Sequence, residues 1–246
     1  MAQSEGSSTG KKLIQIDISS DTVCPWCFVG KRNLDKAIAS SQDQFDFELR
    51  WHPFFLNPSA PKEGINKIEF YKNKFGPRSE QIAARMTEVF RGLGLQYNLS
   101  GLTGNTLDSH RLIYFAGKQG LDKQHNLVEE LCLATSLKER NFLWNLLRKL
   151  GSKEQLNSYK IPTMDSMRFF PLLIPYAPFG CQEYMHHVKL SIMLLWVAKQ
   201  DKVNEEFKKY SAHLSGVPYY VINGKQQLSG GQPPEVFLRA FQAAAV

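Results

Sequence analysis

A chain of 246 residues, 43% apolar and 22% charged, can build one large domain or a domain carrying a substantial insertion. No apolar run reaches the roughly 18 residues of a membrane span; the longest, Leu190 to Ala198, reads as a buried helix segment. The net charge of +7 lies in scattered pairs (Lys11-Lys12, Lys31-Arg32, Arg148-Lys149, Lys208-Lys209) without the stripe of a nucleic-acid groove, so it reads as a solvated surface.

Residues 1–12 are small and polar and read as a flexible tail. They lack the apolar core of a signal peptide, which points to a cytoplasmic chain whose cysteines rest as thiols. Leu13 to Ser19 follows, with Ile14, Ile16 and Ile18 on one face at period two, the pattern of a strand. A helix is expected from Pro25 to about Ser41, because proline suits the first helical turn, where its missing N–H would be unpaired anyway. Between the two lies Cys24-Pro25-Trp26-Cys27. Cys24 thus stands just before a helix N-terminus, where free N–H groups and the helix dipole stabilise a thiolate. Cys27, one turn on, is placed to attack a mixed disulfide formed on Cys24.

A Cys-x-x-Cys pair is also half of a zinc site, which needs a second ligand pair. Cys132 and Cys181 form no such pair, although Cys181 with His186 or His187 would complete a three-sulfur, one-nitrogen set. The strand-to-helix setting favours redox use, with no metal, and leaves Cys132 and Cys181 as buried free thiols.

Phe45 to Trp51 alternates cleanly and predicts a second strand, which makes a βαβ unit with a right-handed crossover. Pro58 and Pro61 mark a boundary. Helical periods then predict helices over 77–93, 108–118, 122–133 and 138–150, with Asp122 capping the third. Near the end, Tyr219 to Ile222 runs into Asn223-Gly224, a strong hairpin signal, with Gln227 to Ser229 as partner. Pro233-Pro234 opens a last helix carrying Val236, Phe237, Ala240 and Phe241 on one face. The order βαβ, helices, ββα predicts an α/β fold with a helical insertion.

Three blocks carry a family resemblance: Ile16 through Arg32 with the Cys-Pro-Trp-Cys motif, Pro53 to Pro58 with Asn105 to Leu112, and Gly216-Val217-Pro218 with Ser229-Gly230-Gly231-Gln232. With them the chain resembles a thioredoxin-fold protein of the DsbA family, and within it the FrnE-like branch. The resemblance implies a thioredoxin-fold domain over 13–60 and 201–246 and a helical insertion over 61–200. It implies a thiol–disulfide oxidoreductase with Cys24 as nucleophile and Cys27 as resolving thiol. Pro218 would be a cis-proline facing them, with the Val217 backbone open to an extended substrate. Pro25 and an exposed Trp26 would touch substrate. His110 would do so too, or serve as a structural histidine at a helix start. Asp21 would relay the thiol's proton or shape the turn.

The implied partner is a disulfide- or thiol-containing protein or small molecule, with no nucleic acid and no membrane. No metal or organic cofactor is implied; glutathione fits as reductant or co-substrate. Two alternatives are weighed: a glutathione-dependent isomerase or transferase of the same fold, and a non-catalytic binding or chaperone-like module. Residues 134–200 depart from the family pattern. Residues 161–180 hold Pro162, Pro171, Pro175 and Pro178, which forbid a continuous helix. A binding lid, a poorly ordered insert, and foreign sequence from a misread exon boundary or frame slip are the readings of that segment.

Overall fold

In the computed structural model, which describes residues 10–137 and 201–245, the chain is arranged around its first strand. In order, the elements are β1 (Lys12–Ser20), α1 (Pro25–Ala39), β2 (Phe45–Pro53), β3 (Ile65–Asn66) and α2 (Lys67–Phe75). A 3-10 turn (Gly76–Arg78) leads to α3 (Ser79–Gly92), β4 (Leu102–Thr103), α4 (Leu107–Gly117) and α5 (Leu121–Leu137). Helical residues 201–210, here α6, precede β5 (Tyr219–Ile222), β6 (Gln226–Ser229) and a final helix, α7 (Pro234–Ala244). The expected helix over 138–150, the proline-broken segment 161–180, Cys181 and the apolar run 190–198 lie outside the described residues.

The main sheet has the order β2-β1-β5-β6, with β1 parallel to β2 and antiparallel to β5. This is the βαβ…ββα arrangement of a thioredoxin fold, with helices inserted between its halves. Register explains the layers. Ile14, Ile16 and Ile18 pair with Phe47, Leu49 and Trp51 on one side, and Ile16 and Ile18 with Ile222 and Tyr220 on the other. Side chains alternate across a strand, so these residues share one face. There α1 supplies Phe28 and Leu34, and α7 supplies Phe237 and Phe241, all with no exposed surface. Each such side chain contributes about 1.5–3 kcal/mol of burial.

The opposite face carries Gln15, Asp17, Glu48 and His52, which explains why α6 meets it through polar groups. His52 Nε2 lies 2.7 Å from Asp17 Oδ1 and its Nδ1 lies 2.8 Å from Glu206 Oε2, while Tyr210 stacks on the ring at 3.6 Å. Burial alone would lower the imidazole, but the bonds to Asp17 and Glu206 outweigh it and hold His52 above its usual 6.5. The bond to His52 in turn lowers Glu206 below 4.5. A raised base stabilises the fold below its unfolded value and loses this as pH rises through the folded one; a lowered acid loses its share as pH falls. The stabilisation from this cluster therefore peaks between about 4.5 and 6.5. The gap in melting temperature between wild type and His52→Gln should be widest in that window and shrink above neutrality; a gap independent of pH would contradict the pairing.

At the sheet edge, Gln124 of α5 takes the place of a neighbouring strand. Trp51 N–H donates to its Oε1 at 3.0 Å and its Nε2 donates to Trp51 C=O at 3.2 Å. The hairpin turn is as read: Asn223 and Gly224 both have positive φ (48° and 70°), and Lys225 N–H closes on Ile222 C=O.

The helical part differs from expectation in two places. The helix expected over 77–93 begins two residues late, as α3 at Ser79, because Pro77 sits in the 3-10 turn that follows Gly76 (φ 55°). Asp122 falls inside the first turn of α5 rather than at its cap. Among the described residues no helix is long and apolar enough to cross a membrane.

Candidate active site

The site begins where β1 stops. Cys24 N–H donates to Asp21 C=O at 3.0 Å, closing a turn that delivers Cys24 to the N-cap of α1 in an extended conformation (φ −84°, ψ 112°). Pro25 occupies the first helical position, so the first free helical N–H groups come from Trp26 and Cys27. Cys27 N–H points at Cys24 Sγ, 3.3 Å away. Cys24 thus caps its own helix with sulfur, its Sγ accepting one of the free helical N–H groups.

The two thiols are unequal. Cys24 is 5% exposed and Cys27 only 1%. Burial pushes the Cys27 thiol well up, and the hydrogen bond and charge of Cys24 push the same way. The Asp21 backbone and the Ser20 side chain pull it down, by less. Cys27, the deeper of the two, therefore holds its proton.

Facing the pair is the start of β5. The Val217–Pro218 peptide is cis, and Cys24 Sγ points at Val217 C=O at 3.8 Å. A cleft of ≈ 530 Å³ opens beside it, lined by His213, Ser215, Val217, Pro218, Tyr219 and Gly230. Its far wall is held by Gly230 N–H donating to Pro218 C=O at 2.8 Å. The Gly230-Gly231 segment lies directly on α1: a Cβ on Gly231 would stand 3.1 Å from Trp26 Cε3 and 3.2 Å from Trp26 C=O. Asn33 of α1 completes the contact by donating to Gln232 C=O at 2.9 Å.

Of the residues read from sequence, Cys24, Pro25, Trp26, Cys27, Val217 and Pro218 come together here. Trp26 is half-buried rather than exposed, because Gly231 lies against it and the Arg85 guanidinium of α3 sits 5.8 Å from its ring centroid. His110 lies apart from the cleft. It is 3% exposed, its Nε2 is 3.0 Å from Phe54 C=O, and Phe55 packs edge-on at 5.1 Å. Its nearest link to the thiols is Asp21, whose Oδ1 is 3.6 Å from His110 Nε2 and whose Oδ2 accepts from Leu56 N–H at 2.8 Å. Asp21 thus ties the turn to the loop after β2.

Behind the thiols a charged network joins α1 to α5. Lys31, 2% exposed, reaches Asp35 Oδ2 at 2.8 Å and Glu129 Oε2 at 3.1 Å. Trp51 Nε1–H donates to His125 Nδ1 at 3.1 Å. Indole can only donate, so the neutral ring carries its proton on Nε2, toward Asp35 Oδ1 at 2.9 Å. Burial would raise Asp35, but His125 and Lys31 together hold it below its usual value. Arg85 and this network went unread in the sequence, where a lone arginine and scattered charges at helical spacing carry no signal.

Residues 15–150 match the model of the DSBA-like thioredoxin domain. The chain belongs to this family. Among solved structures, a probable DsbA oxidoreductase from Streptomyces coelicolor is 24% identical, with TM-score 0.69, over 94% of this chain and 89% of that one. A 2-hydroxychromene-2-carboxylate isomerase is 12% identical, with TM-score 0.55, over 93% and 95%. Both likenesses are of fold. Uncharacterized protein YwbO of Bacillus subtilis (strain 168) is 32% identical over 78 residues, which span 30% of this chain and 37% of that relative.

Proposed function

We propose that this chain is a thiol–disulfide oxidoreductase of the FrnE-like branch, with Cys24 as nucleophile and Cys27 as resolving thiol. One observation carries the reading: Cys24 caps α1 with its sulfur under the Cys27 N–H, above a second thiol that burial keeps protonated. In the reducing direction Cys24 thiolate attacks one sulfur of a substrate disulfide. The Cys24–substrate disulfide forms and the other substrate sulfur leaves as a thiolate. Cys27 then gives up its proton, bonds to Cys24 Sγ and releases the second substrate thiolate, which takes a proton. Two electrons pass to the substrate and the protein is left with a Cys24–Cys27 disulfide. A dithiol or glutathione returns it to the start, in the cytoplasm, and the same steps reversed oxidise a substrate.

The cleft at Val217 and Pro218 suits an extended peptide or a small disulfide, beside the thiol that points at Val217 C=O. The second thiol beside Cys24 speaks against a single-nucleophile isomerase or transferase. The test is reduction of insulin disulfides by the reduced protein, followed as turbidity. Activity in wild type that disappears in Cys24→Ala supports the reading; Cys24→Ala that performs as wild type sinks it and leaves a binding module.

A further inference from the structure

We infer that Thr135, on α5 of the helical insertion, is a positioning residue for Cys24: its hydroxyl holds the turn that sets this thiol on α1. The inference rests on the dithiol reading above. Within the turn itself a single backbone bond, Cys24 N–H to Asp21 C=O, fixes the chain. Everything else that grips it comes from outside. Thr135 Oγ1 donates to Thr22 C=O at 2.6 Å, nearer than the helical carbonyls of Leu131 and Cys132, both at 3.2 Å. The hydroxyl has one proton to give, and Thr22 is its closest acceptor. On the other side Ser109 Oγ of α4 donates to Thr106 C=O at 2.7 Å, so the Thr22 hydroxyl donates to Ser109 Oγ at 2.8 Å.

Thr135 is in turn fixed from behind. Its carbonyl accepts from the ammonium of Lys67, which is 6% exposed and also donates to Asn98 C=O at 3.2 Å. Asn98 N–H takes the next carbonyl, that of Ser136, at 2.8 Å. No carboxylate pairs with Lys67 among the described residues, and burial lowers its amine to about 8. A buried ammonium without a counter-ion binds its carbonyls firmly. The result is a chain of contacts from Lys67 through Thr135 to Thr22, two residues before the thiol. Loss of the Thr135 donor frees the Thr22–Val23 peptide to rotate. That moves Cys24 Sγ away from the Cys27 N–H and from Val217 C=O, the two groups that set its reactivity.

Thr135→Val keeps shape and β-branching and deletes the donor; Thr135→Ser keeps the donor. The readouts are alkylation of Cys24 by iodoacetamide, located by peptide mass, and amide exchange at Cys24. Thr135→Val should slow alkylation by about tenfold and speed exchange, the loss of one buried hydrogen bond, while Thr135→Ser stays within about twofold of wild type. Thr87→Val, which removes a hydroxyl bonded within α3 to Ala83 C=O, should change neither. Lys67→Met approaches the contact from the main chain and should slow alkylation by about threefold. Unchanged alkylation and exchange in Thr135→Val, no recovery in Thr135→Ser, or no effect of Lys67→Met would each overturn the assignment. Insulin reduction by wild type is read alongside. A wild type that reduces no insulin counts against the dithiol reading, while a slowed Thr135→Val still supports the positioning role.

Discussion

Cys27→Ser is expected to stop turnover and to collect the protein as a mixed disulfide through Cys24. The reason lies in the asymmetry of the pair. Cys24 keeps its place at the N-cap of α1, so the first attack proceeds. The bond it makes can then be opened from inside only by a sulfur one helical turn away, and serine supplies none. Insulin reduction should fall by about a hundredfold or more, since release then waits for an external thiol. Mass spectrometry should show one substrate half bound at Cys24. Cys24→Ser should give no adduct, because the remaining thiol is 1% exposed and pushed up by burial. Full activity in Cys27→Ser would instead revive the single-nucleophile, glutathione-dependent reading.

How much of this was legible in the sequence depends on the range over which each feature is encoded. Ile14, Ile16 and Ile18, and Phe45 to Trp51, could be assigned to strands and faces because a two-residue period is local and the core enforces it. The hairpin at Asn223-Gly224 was legible because its positive φ values need those residue types. The dithiol was legible as a motif at a strand–helix junction. What was not legible is what crosses the chain. Trp26 looked exposed because nothing near it in sequence covers it; the cover is Gly231 and Arg85. The helix at 77–93 was legible from its apolar spacing, and only its start was misplaced, because Pro77 suits a 3-10 turn as well as a first helical turn. The bridge between Ile65-Asn66 and Leu102-Thr103 is two residues long, too short to carry a period. Thr135 and Thr22 each read as ordinary polar residues, and only the packing of α5 against the turn makes them a pair.

Gly30→Ala should cost the fold about 3 kcal/mol or somewhat less, and Tyr220→Phe should return most of it. Gly30 lies inside α1, where alanine would ordinarily be favoured by about 1 kcal/mol, so the sign of the effect is a test of packing alone. A Cβ there would fall well within van der Waals contact of Tyr220 Oη, 3.1 Å from Pro218 Cγ and 3.4 Å from Gly231 Cα. Tyr220 cannot swing aside. It has no exposed surface, and its ring is held edge-on by Phe237 at 4.9 Å. Its hydroxyl is buried without a hydrogen-bond partner among the described residues. Such a group costs about 1–3 kcal/mol to bury, so Tyr220→Phe alone should raise the melting temperature. In the double variant the phenyl ring leaves the space that Cβ needs, and the two effects should depart from additivity by more than about 1 kcal/mol. The cycle is measured by denaturant unfolding of the four proteins. It bears on function because Gly30 is the point where the dithiol helix meets both Pro218, which lines the cleft, and Gly231, which follows the cleft residue Gly230. If Gly30→Ala is tolerated without loss, α1 does not approach β5 this closely, and Val217 C=O does not sit over Cys24. If the double variant regains stability but still reduces insulin slowly, the spacing of that helix from Pro218, and not the stability of the fold, sets the rate.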